Sequence, residues 1–368
     1  MNDMNATTPP ETATEALLEV NGQAVPYSEG GRVLGALRQA GFDVPSLCYE
    51  SRLEPQGTCR MCLVEVEVDG RIEQVASCTA FQQPNMKVIT HSDSLKKYRR
   101  TILDMLLSET GPQAECPKCL SFNKCDFHSA TDEYGADAGW LKPIAPREKA
   151  PDPNPFIQRD YDFCIGCFRC INVCNDWEMA GAITVDGRSQ TSKIFSFFDN
   201  ELLQSPCTFC GQCINTCPTG ALTNKKILGT TVAEKLERTK TICPYCGVGC
   251  GIELLTQDGE LKGSEPDFTA PSQGSLCVKG QFGSWDFVKS ADRLTTPLIR
   301  KDGELQPASW DEALSLVSSK FQRYKDTDGP DSLVLWASAR VTSEANYLMQ
   351  KFARVAVGTN NIDNCSRT

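Results

Sequence analysis

The alternation of apolar and polar residues predicts a small β-rich domain early in the chain. Residues 17–27 alternate around Asn21-Gly22, a pair typical of a two-residue hairpin turn. Residues 63–76 predict a second hairpin around Asp69-Gly70. Between the hairpins, residues 31–40 carry apolar side chains at helical spacing. The pattern therefore predicts two hairpins and one helix.

Helical periodicity returns further along the chain and ends in an α/β pattern. Residues 94–107 predict a helix. Ser309 and Glu312 form a capping box, which is typical of a helix start. Residues 331–337 predict a buried strand and residues 342–357 another helix, which begins an α/β domain. The predicted apolar face of the capped helix comprises Trp310, Leu314, Val317 and Phe321.

Composition excludes several classes of protein. The 368 residues include 47 acidic and 37 basic side chains, and the formal charge of −10 argues against nucleic-acid or anionic-lipid binding. No run of 18 apolar residues predicts a membrane span, and no signal-peptide pattern precedes residue 20. We therefore expect a cytoplasmic protein. Only two histidines, His91 and His128, are present, which excludes His-rich metal chemistry.

Cysteine is the unusual residue, with 20 in the chain. Thiols stay reduced in the cytoplasm, so this number indicates metal or cluster ligation rather than disulfides. All but Cys365 fall into blocks. The predicted ligands are Cys48, Cys59, Cys62, Cys78; Cys116, Cys119, Cys125; Cys164, Cys167, Cys170, Cys174; Cys207, Cys210, Cys213, Cys217; and Cys243, Cys246, Cys250, Cys277.

Two consecutive C-x2-C-x2-C-x3-C blocks are the most specific signal. In two-cluster ferredoxins, three cysteines of such a block hold one cluster and the fourth binds the other cluster. The blocks therefore predict two [4Fe–4S] clusters with crossed ligands, so that Cys217 joins the cluster of Cys164 and Cys174 joins that of Cys207. A zinc site is the weaker alternative, because zinc favours two separated C-x2-C pairs.

The first block has a long gap followed by C-x2-C, and it resembles a β-grasp [2Fe–2S] ferredoxin domain. A zinc ribbon is the alternative, although ribbons carry two C-x2-C pairs. The Cys116 block resembles the [4Fe–4S] module with one histidine and three cysteine ligands that accompanies such a domain, but Pro112 occupies the position of the family histidine. His128 and Glu115 are alternative fourth ligands. We expect His128 to be an exposed loop residue, and we expect a fourth [4Fe–4S] cluster that is labile or lost.

The last block, C-x2-C-x3-C-x26-C, predicts a further [4Fe–4S] site. Its surroundings, CPYCGVGC, LCVKGQFG, DRLTTPLIR and SWDEAL, resemble the N-terminal part of the molybdopterin-dependent oxidoreductases, in particular NAD-linked formate dehydrogenases. The resemblance extends over residues 17–368. It implies a cofactor-binding role for Lys279, because the family lysine at this position lies between cluster and pterin.

The resemblance implies an α+β multidomain iron–sulfur protein. Its expected parts are a disordered tail (1–14), a β-grasp [2Fe–2S] domain (15–93), a three-cysteine [4Fe–4S] module (94–140), a linker (141–155), a two-cluster bacterial ferredoxin domain (156–230), a [4Fe–4S] domain (238–297) and the incomplete start of a molybdopterin-binding α/β domain (298–368). The charged residues 231–240 are expected to form a short helix or linker.

The implied activity of the intact enzyme is oxidation of formate to CO₂ at molybdenum or tungsten held by two pterins, with NAD as acceptor. Electrons would pass from the Cys243 cluster through the ferredoxin clusters to the Cys116 and Cys48 centres, and then to a flavin/NAD-binding iron–sulfur subunit. In the family, the segment like Asn364-Cys365 precedes a selenocysteine or cysteine metal ligand. We therefore expect no catalytic residue within the chain, an inactive isolated chain, and a UGA codon after Thr368.

Three alternatives remain at this point. The first is an iron–sulfur subunit of an NADH-quinone oxidoreductase, which shares the first two modules. The second is a stand-alone electron-transfer protein that ends at Thr368. The third is an iron-only hydrogenase, which shares three modules but lacks the pterin-type residues after position 240.

Overall fold

The computed structural model describes residues 17–111, 113–122, 125–139, 141, 152–187, 192–196, 201–283 and 285–365. The chain divides into two compact units, Met1–Leu236 and Glu237–Thr368. The predicted tail and residues 142–151 of the predicted linker lie outside the described residues. Among the helices of the described part, none is long and apolar enough to cross a membrane.

The first unit begins with a five-stranded sheet in the order β2-β1-β5-β3-β4. Its strands are β1 (Leu17–Val20), β2 (Gln23–Pro26), β3 (Leu63–Val68), β4 (Arg71–Ala76) and β5 (Lys87–Ile89). Strands β1 and β5 run parallel, and the other pairs are antiparallel. Both predicted hairpins are confirmed, because the Asn21-Gly22 and Asp69-Gly70 turns supply the required positive φ angles.

Helix α1 (Val33–Gln39) covers the apolar face of this sheet. The alternating strand residues point one set of side chains at the helix, and these form the core with its Val33, Leu34 and Leu37. The helix predicted over residues 94–107 is also confirmed as α2 (Asp93–Ser108), and the Ser92 side chain caps its N-terminus. Two short helices follow, α3 (Pro117–Ser121) and α4 (Asp126–Tyr134).

Arg99 of α2 is fully buried and joins the sheet domain to α4. Its Nη2 donates to the carbonyl oxygens of Leu63 at 2.8 Å and Thr90 at 2.9 Å. Its Nε donates to the Met61 carbonyl at 3.2 Å, and its Nη1 to the Tyr134 hydroxyl at 3.2 Å. A guanidinium carries five N–H donors in a planar fork, so one side chain satisfies several separated acceptors.

Among the described residues, the rest of the first unit includes the short α-helices α5 (Arg169–Asn172) and α6 (Gln212–Thr216) and two two-stranded sheets. The strands are β6 (Ile157–Arg159), β7 (Ile183–Asp186), β8 (Lys193–Ser196) and β9 (Leu222–Asn224). Strand β6 pairs antiparallel with β9, and β7 pairs antiparallel with β8. The helices α5 and α6 each begin within a cysteine block, and this repeat brings the two blocks together.

The second unit begins with a three-stranded antiparallel sheet, in the order β10-β11-β12. Its elements are β10 (Glu237–Ile242), β11 (Gly251–Gln257), β12 (Glu260–Pro266), α7 (Val278–Phe282), β13 (Leu298–Lys301), β14 (Glu304–Pro307), α8 (Trp310–Asp328), β15 (Leu335–Ala337), α9 (Ser343–Lys351) and β16 (Ile362–Asn364). Helix α9 continues as a π-helix, Phe352–Val357.

Three local predictions for this region are corrected. Residues 237–240 lie in β10, where pairing with β11 replaces the expected helix or linker. The strand expected over residues 331–337 is shorter, because Pro330–Ser332 forms a 3₁₀ turn. Only Leu335 of the strand is buried, whereas Trp336 is 80% exposed, since β15 pairs in the described residues with β16 alone.

The predicted helix over α8 is confirmed, and Ser309 caps its N-terminus. Its apolar face divides into two parts. Trp310, Leu314 and Val317 are exposed within the described chain. Phe321 packs against the small core of Leu335, Ala353 and Val357.

Candidate metal centres

The four cysteines of the sheet domain form two pairs. The backbone N–H groups of Leu47 and Cys48 both point at Cys59 Sγ, at 3.4 Å. A hydrogen bond from the Cys59 thiol lowers the pKa of Cys48 to about 5, and one from Cys78 lowers the pKa of Cys62 to about 6. Two thiols per iron is the arrangement that a [2Fe–2S] cluster requires, so these residues fit that cluster.

The two ferredoxin-type blocks surround two cavities. The first has four cysteines in its lining: Cys164, Cys167, Cys170 and Cys217. The second has Cys174, Cys207, Cys210 and Cys213. The fourth cysteine of each block therefore lines the cavity of the other block, as a crossed ligand arrangement requires.

The electrostatics of these cavities also fit a metal cluster. Burial, reinforced by neighbouring thiolates, raises the pKa values of Cys167, Cys170 and Cys213. Several thiolates enclosed together without a cation would be strongly unfavourable. A cluster of iron ions supplies the positive charge that permits them to ionise.

The backbone of the two blocks follows the same path. Gly166 and Phe168 have φ angles of +63° and +60°, and the equivalent Phe209 and Gly211 have +52° and +76°. Residues in the left-handed backbone conformation turn the chain sharply and direct successive N–H groups inward, which favours binding of an anionic group. The repeat seen in the sequence is therefore also a repeat of backbone conformation around the two cavities.

The Cys116 block forms a compact site that includes His128. The ligand atoms of Cys116, Cys119, Cys125 and His128 all lie within 4.8 Å of one another. Burial acts to lower the pKa of His128, but hydrogen bonds with Cys116 and Cys119 outweigh it and raise the pKa to about 9. The expectation that His128 is an exposed loop residue is wrong, because the side chain is 3% exposed on helix α4.

The other alternative ligand in this region does not join the site. Glu115 is exposed, and the group of metal-ligating atoms formed here by described residues contains no carboxylate. Pro112, the position of the family histidine, lies outside the described residues. The sequence does contain a signal that points to His128 as a ligand. It is the C-x2-H spacing from Cys125 to His128, which places both residues in the first turn of a helix.

The last cysteine block lies at the start of the second unit. Cys243 is buried against Ile252 and Leu276, and its N–H donates to the Cys250 carbonyl at 2.8 Å. Cys246 and Cys277 are exposed. Burial raises the pKa of Cys243, and the charges of Cys250, Cys277 and Cys246 raise it further, so the four thiols lie close enough to interact.

Family models match this region and three others. Residues 236–289 match the molybdopterin oxidoreductase Fe4S4 domain, and residues 293–368 match the molybdopterin oxidoreductase model. We call residues 236–368, most of which these two matches cover, the oxidoreductase region. Residues 14–93 match a 2Fe–2S iron–sulfur cluster binding domain, and residues 163–221 match a 4Fe–4S dicluster domain. The α+β multidomain iron–sulfur architecture is confirmed by these matches.

Two curated relatives align with nearly the whole chain, so the similarity includes both the oxidoreductase region and the residues before it. A Bacillus subtilis protein named "Probable oxidoreductase YjgC" is 33% identical over 96% of this chain and 39% of its own length. A Staphylococcus haemolyticus protein named "Putative formate dehydrogenase" is 34% identical over 92% of this chain and 38% of its own length. The chain thus spans about two fifths of the length of these relatives.

A solved structure also resembles this chain. A chain of an NAD⁺-reducing [NiFe]-hydrogenase in the H₂-reduced state aligns with a TM-score of 0.52 and 28% identity. The alignment covers 60% of this chain and 91% of the hydrogenase chain.

Lys279 of the oxidoreductase region lies on α7, two residues after Cys277, and its side chain is exposed. Its expected position beside a pterin stays a prediction.

The loop that contains Glu50 docks on α6, and the cysteine spacings gave no sign of this contact. Thr216 Oγ1 donates to Glu50 Oε2 at 2.8 Å, and Arg169 Nη2 lies 3.7 Å from the same oxygen.

Arg52 completes this docking network. Its Nε lies 3.0 Å from Glu50 Oε1, and its Nη1 donates to Gln212 at 3.0 Å. Burial acts to raise the pKa of Glu50, but Arg52 and Thr216 hold the pKa below its ordinary value. Glu50 is therefore a charged carboxylate that bridges the first cysteine loop and the second ferredoxin-type block.

Proposed function

We propose that this chain is the electron-transfer portion of the alpha subunit of a formate dehydrogenase that reduces NAD. The observation that carries the proposal is one chain in which a molybdopterin oxidoreductase region follows 2Fe–2S and 4Fe–4S dicluster domains. Relatives named as putative formate dehydrogenases align with 92–95% of the chain at 32–34% identity, which supports formate as the substrate. The isolated chain is proposed to carry electrons without oxidising formate.

Nineteen cysteines are the proposed cluster ligands. Cys48, Cys59, Cys62 and Cys78 hold one [2Fe–2S] cluster. The two ferredoxin-type blocks hold two [4Fe–4S] clusters with crossed ligands, and the Cys243 block holds another. The three remaining cysteines, Cys116, Cys119 and Cys125, belong to a metal centre of their own. In the intact enzyme a molybdenum or tungsten bis-pterin cofactor supplies the two-electron chemistry on formate, and Lys279 is its proposed neighbour in this chain.

The Glu50 network supports an electron step from the ferredoxin-type clusters to the [2Fe–2S] cluster. Glu50 is two residues from Cys48, and its partner Thr216 directly precedes Cys217. The Leu47 carbonyl also accepts from Arg169 Nη1 at 3.4 Å, beside Cys170. These bonds hold ligand loops of two centres together, which keeps the separation between the centres short and constant.

The proposed partner is a flavin/NAD-binding iron–sulfur subunit that takes electrons from the [2Fe–2S] cluster. The resemblance to a chain of an NAD⁺-reducing hydrogenase supports a nicotinamide acceptor. The proposed location is the cytoplasm, where the 20 free cysteines would stay reduced.

The test uses the holoenzyme purified through this chain from its source cells. Formate should reduce both a viologen dye and NAD. Cys59→Ser, which removes a proposed [2Fe–2S] ligand, should abolish NAD reduction and leave formate-dependent dye reduction. An enzyme that is indifferent to formate would contradict the proposal, and equal loss of both activities would contradict the assigned electron order.

A second candidate is an iron–sulfur subunit of an NADH-quinone oxidoreductase-like complex. The hydrogenase resemblance favours it, because that relative couples NAD to a catalytic centre other than molybdopterin. The same holoenzyme would then catalyse quinone reduction by NADH with no response to formate.

A further inference from the structure

We propose that His128 is the fourth ligand of a metal centre that also contains Cys116, Cys119 and Cys125, and we call these four residues the His128 centre. The fourth ligand would come from the residues after the cysteines rather than from those before them. The ligand chemistry is that of a thiophilic metal, either one tetrahedral ion of the zinc class or the iron of a [4Fe–4S] cluster. The proposal concerns this chain's own residues and holds whichever substrate the intact enzyme uses.

Helix α4 positions the imidazole among the thiols. Cys125 is the N-cap of this helix, and His128 is its third residue. The Cys125 Sγ accepts a hydrogen bond from the His128 N–H at 3.5 Å, so both side chains belong to one helical turn. His128 Nδ1 lies 3.1 Å from Cys119 Sγ.

Three of the four proposed ligands are too buried to face solvent. Cys116, Cys125 and His128 are 0%, 1% and 3% exposed. Three thiols and an imidazole enclosed together without a metal would be held by weak hydrogen bonds alone. A thiolate-binding cation converts the same four groups into strong ligands, and three thiolates with one imidazole is an established donor set for zinc.

The spacing of the four groups fits a single ion closely. Ligands at about 2.0–2.3 Å from a tetrahedral ion lie roughly 3–4 Å apart. The four donor atoms here lie within 4.8 Å of one another, and no other such group occurs in the described parts of the chain. A [4Fe–4S] cluster, in which each ligand binds a different iron, would require these side chains to move apart.

The ferredoxin-type region closes the site. A Cβ added at Gly220 would lie 2.6 Å from Cys116 Sγ. Lys118 Nζ donates to the Cys217 carbonyl at 2.7 Å, and the Phe127 N–H donates to the Pro218 carbonyl at 3.1 Å. A metal held by Cys116 and His128 would therefore tie α3 and α4 to the segment that follows Cys217.

Metal analysis of the full chain tests the proposal. After anaerobic reconstitution with iron, sulfide and zinc, the four other centres account for about 14 iron atoms, and the His128 centre adds about one zinc or about four iron atoms. His128→Gln keeps a hydrogen-bonding side chain without the imidazole ligand, and it should lose that additional metal. His128→Cys supplies a thiolate and should retain it.

His91→Ala is the matched control, because His91 is the other histidine of the chain and is exposed. It should keep the full metal content, and every variant should keep the other 14 or so iron atoms. Additional zinc or additional iron that disappears in His128→Gln supports the proposal and identifies the metal. Full metal content in His128→Gln, or loss in His128→Cys with retention in His128→Gln, would overturn it.

Discussion

The Thr216 hydroxyl donates to the Glu50 carboxylate at 2.8 Å across 166 positions of the chain. Each residue lies beside a proposed cluster ligand, Glu50 near Cys48 and Thr216 next to Cys217. The bond therefore links two cysteine loops that the sequence separates widely. Its strength depends on the charge of Glu50, because Arg52 and Arg169 face the same carboxylate.

Glu50→Gln should weaken this docking. The variant keeps the side-chain size but loses the charge, and we expect the free energy of unfolding to fall by about 1–3 kcal/mol at pH 7. Urea denaturation monitored by tryptophan fluorescence measures the change. Glu54→Gln is the matched control, because Glu54 is 90% exposed and its ion pair with Arg32 spans 3.7 Å.

The stability difference between the parent and Glu50→Gln should also depend on pH. The pKa of Glu50 lies below its ordinary value of 4.5 in the folded chain. Its contribution to stability is therefore complete above the unfolded pKa and is lost as the pH falls through the folded pKa. The difference in the free energy of unfolding between the parent and Glu50→Gln should shrink below pH 4.5. Urea denaturation during brief exposure to acidic pH would measure this change. A constant difference would contradict this origin.

Arg99→Met should destabilise the chain by about 3–5 kcal/mol, because it leaves buried carbonyl groups without their donor. The loss should extend to the [2Fe–2S] cluster, since Arg99 binds the Met61 carbonyl beside Cys62. Arg100→Met is the adjacent control and should change stability by less than about 1 kcal/mol, because Arg100 is 50% exposed. Denaturation and visible absorption give the two readouts, and equal effects at both positions would refute the special role of Arg99.

The crossed ligand sets can be tested by pairs of substitutions. Replacing Cys164 and Cys217 together with Ala removes two ligands from one cavity, so about four iron atoms should be lost. Replacing Cys164 and Cys174 together removes one ligand from each cavity, so about eight should be lost. Uncrossed clusters would reverse these two results in iron analysis.

Gly220→Ala should disturb the His128 centre without altering a ligand. The new methyl group would meet Cys116 Sγ at 2.6 Å and Pro117 Cδ at 3.0 Å, so α3 must shift. We expect loss of the additional metal and a lower free energy of unfolding. Gly35→Ala is the contrasting variant, because open space surrounds Gly35 in α1 and alanine should stabilise that helix by about 0.5–1 kcal/mol. Unchanged metal content in Gly220→Ala would contradict this prediction, because it would mean that Cys116 and Pro117 move aside without loss of the metal.

The local elements of the fold could be predicted where a short pattern decides the conformation. The Asn21-Gly22 turn and its flanking residues specify a hairpin within eleven positions, and the Ser309 capping box specifies the start of α8. The prediction failed where pairing overrides propensity. Three of residues 237–240 are charged and all four are exposed, yet they form a strand because β11 supplies backbone partners.

Cysteine spacing by itself determined which thiols form blocks, because three cysteines with two residues between neighbours must lie close together. The same spacing predicted that Cys217 joins the Cys164 site, and Cys217 lines that cavity. Only the tertiary structure decided two other contacts: Thr216 reaches Glu50, and His128 turns inward toward Cys119. These contacts depend on how helices and loops pack, and packing is set by side chains far apart in the chain. The physical reason is that spacing restricts neighbours along the backbone, whereas burial and charge pairing act between residues that only folding brings together.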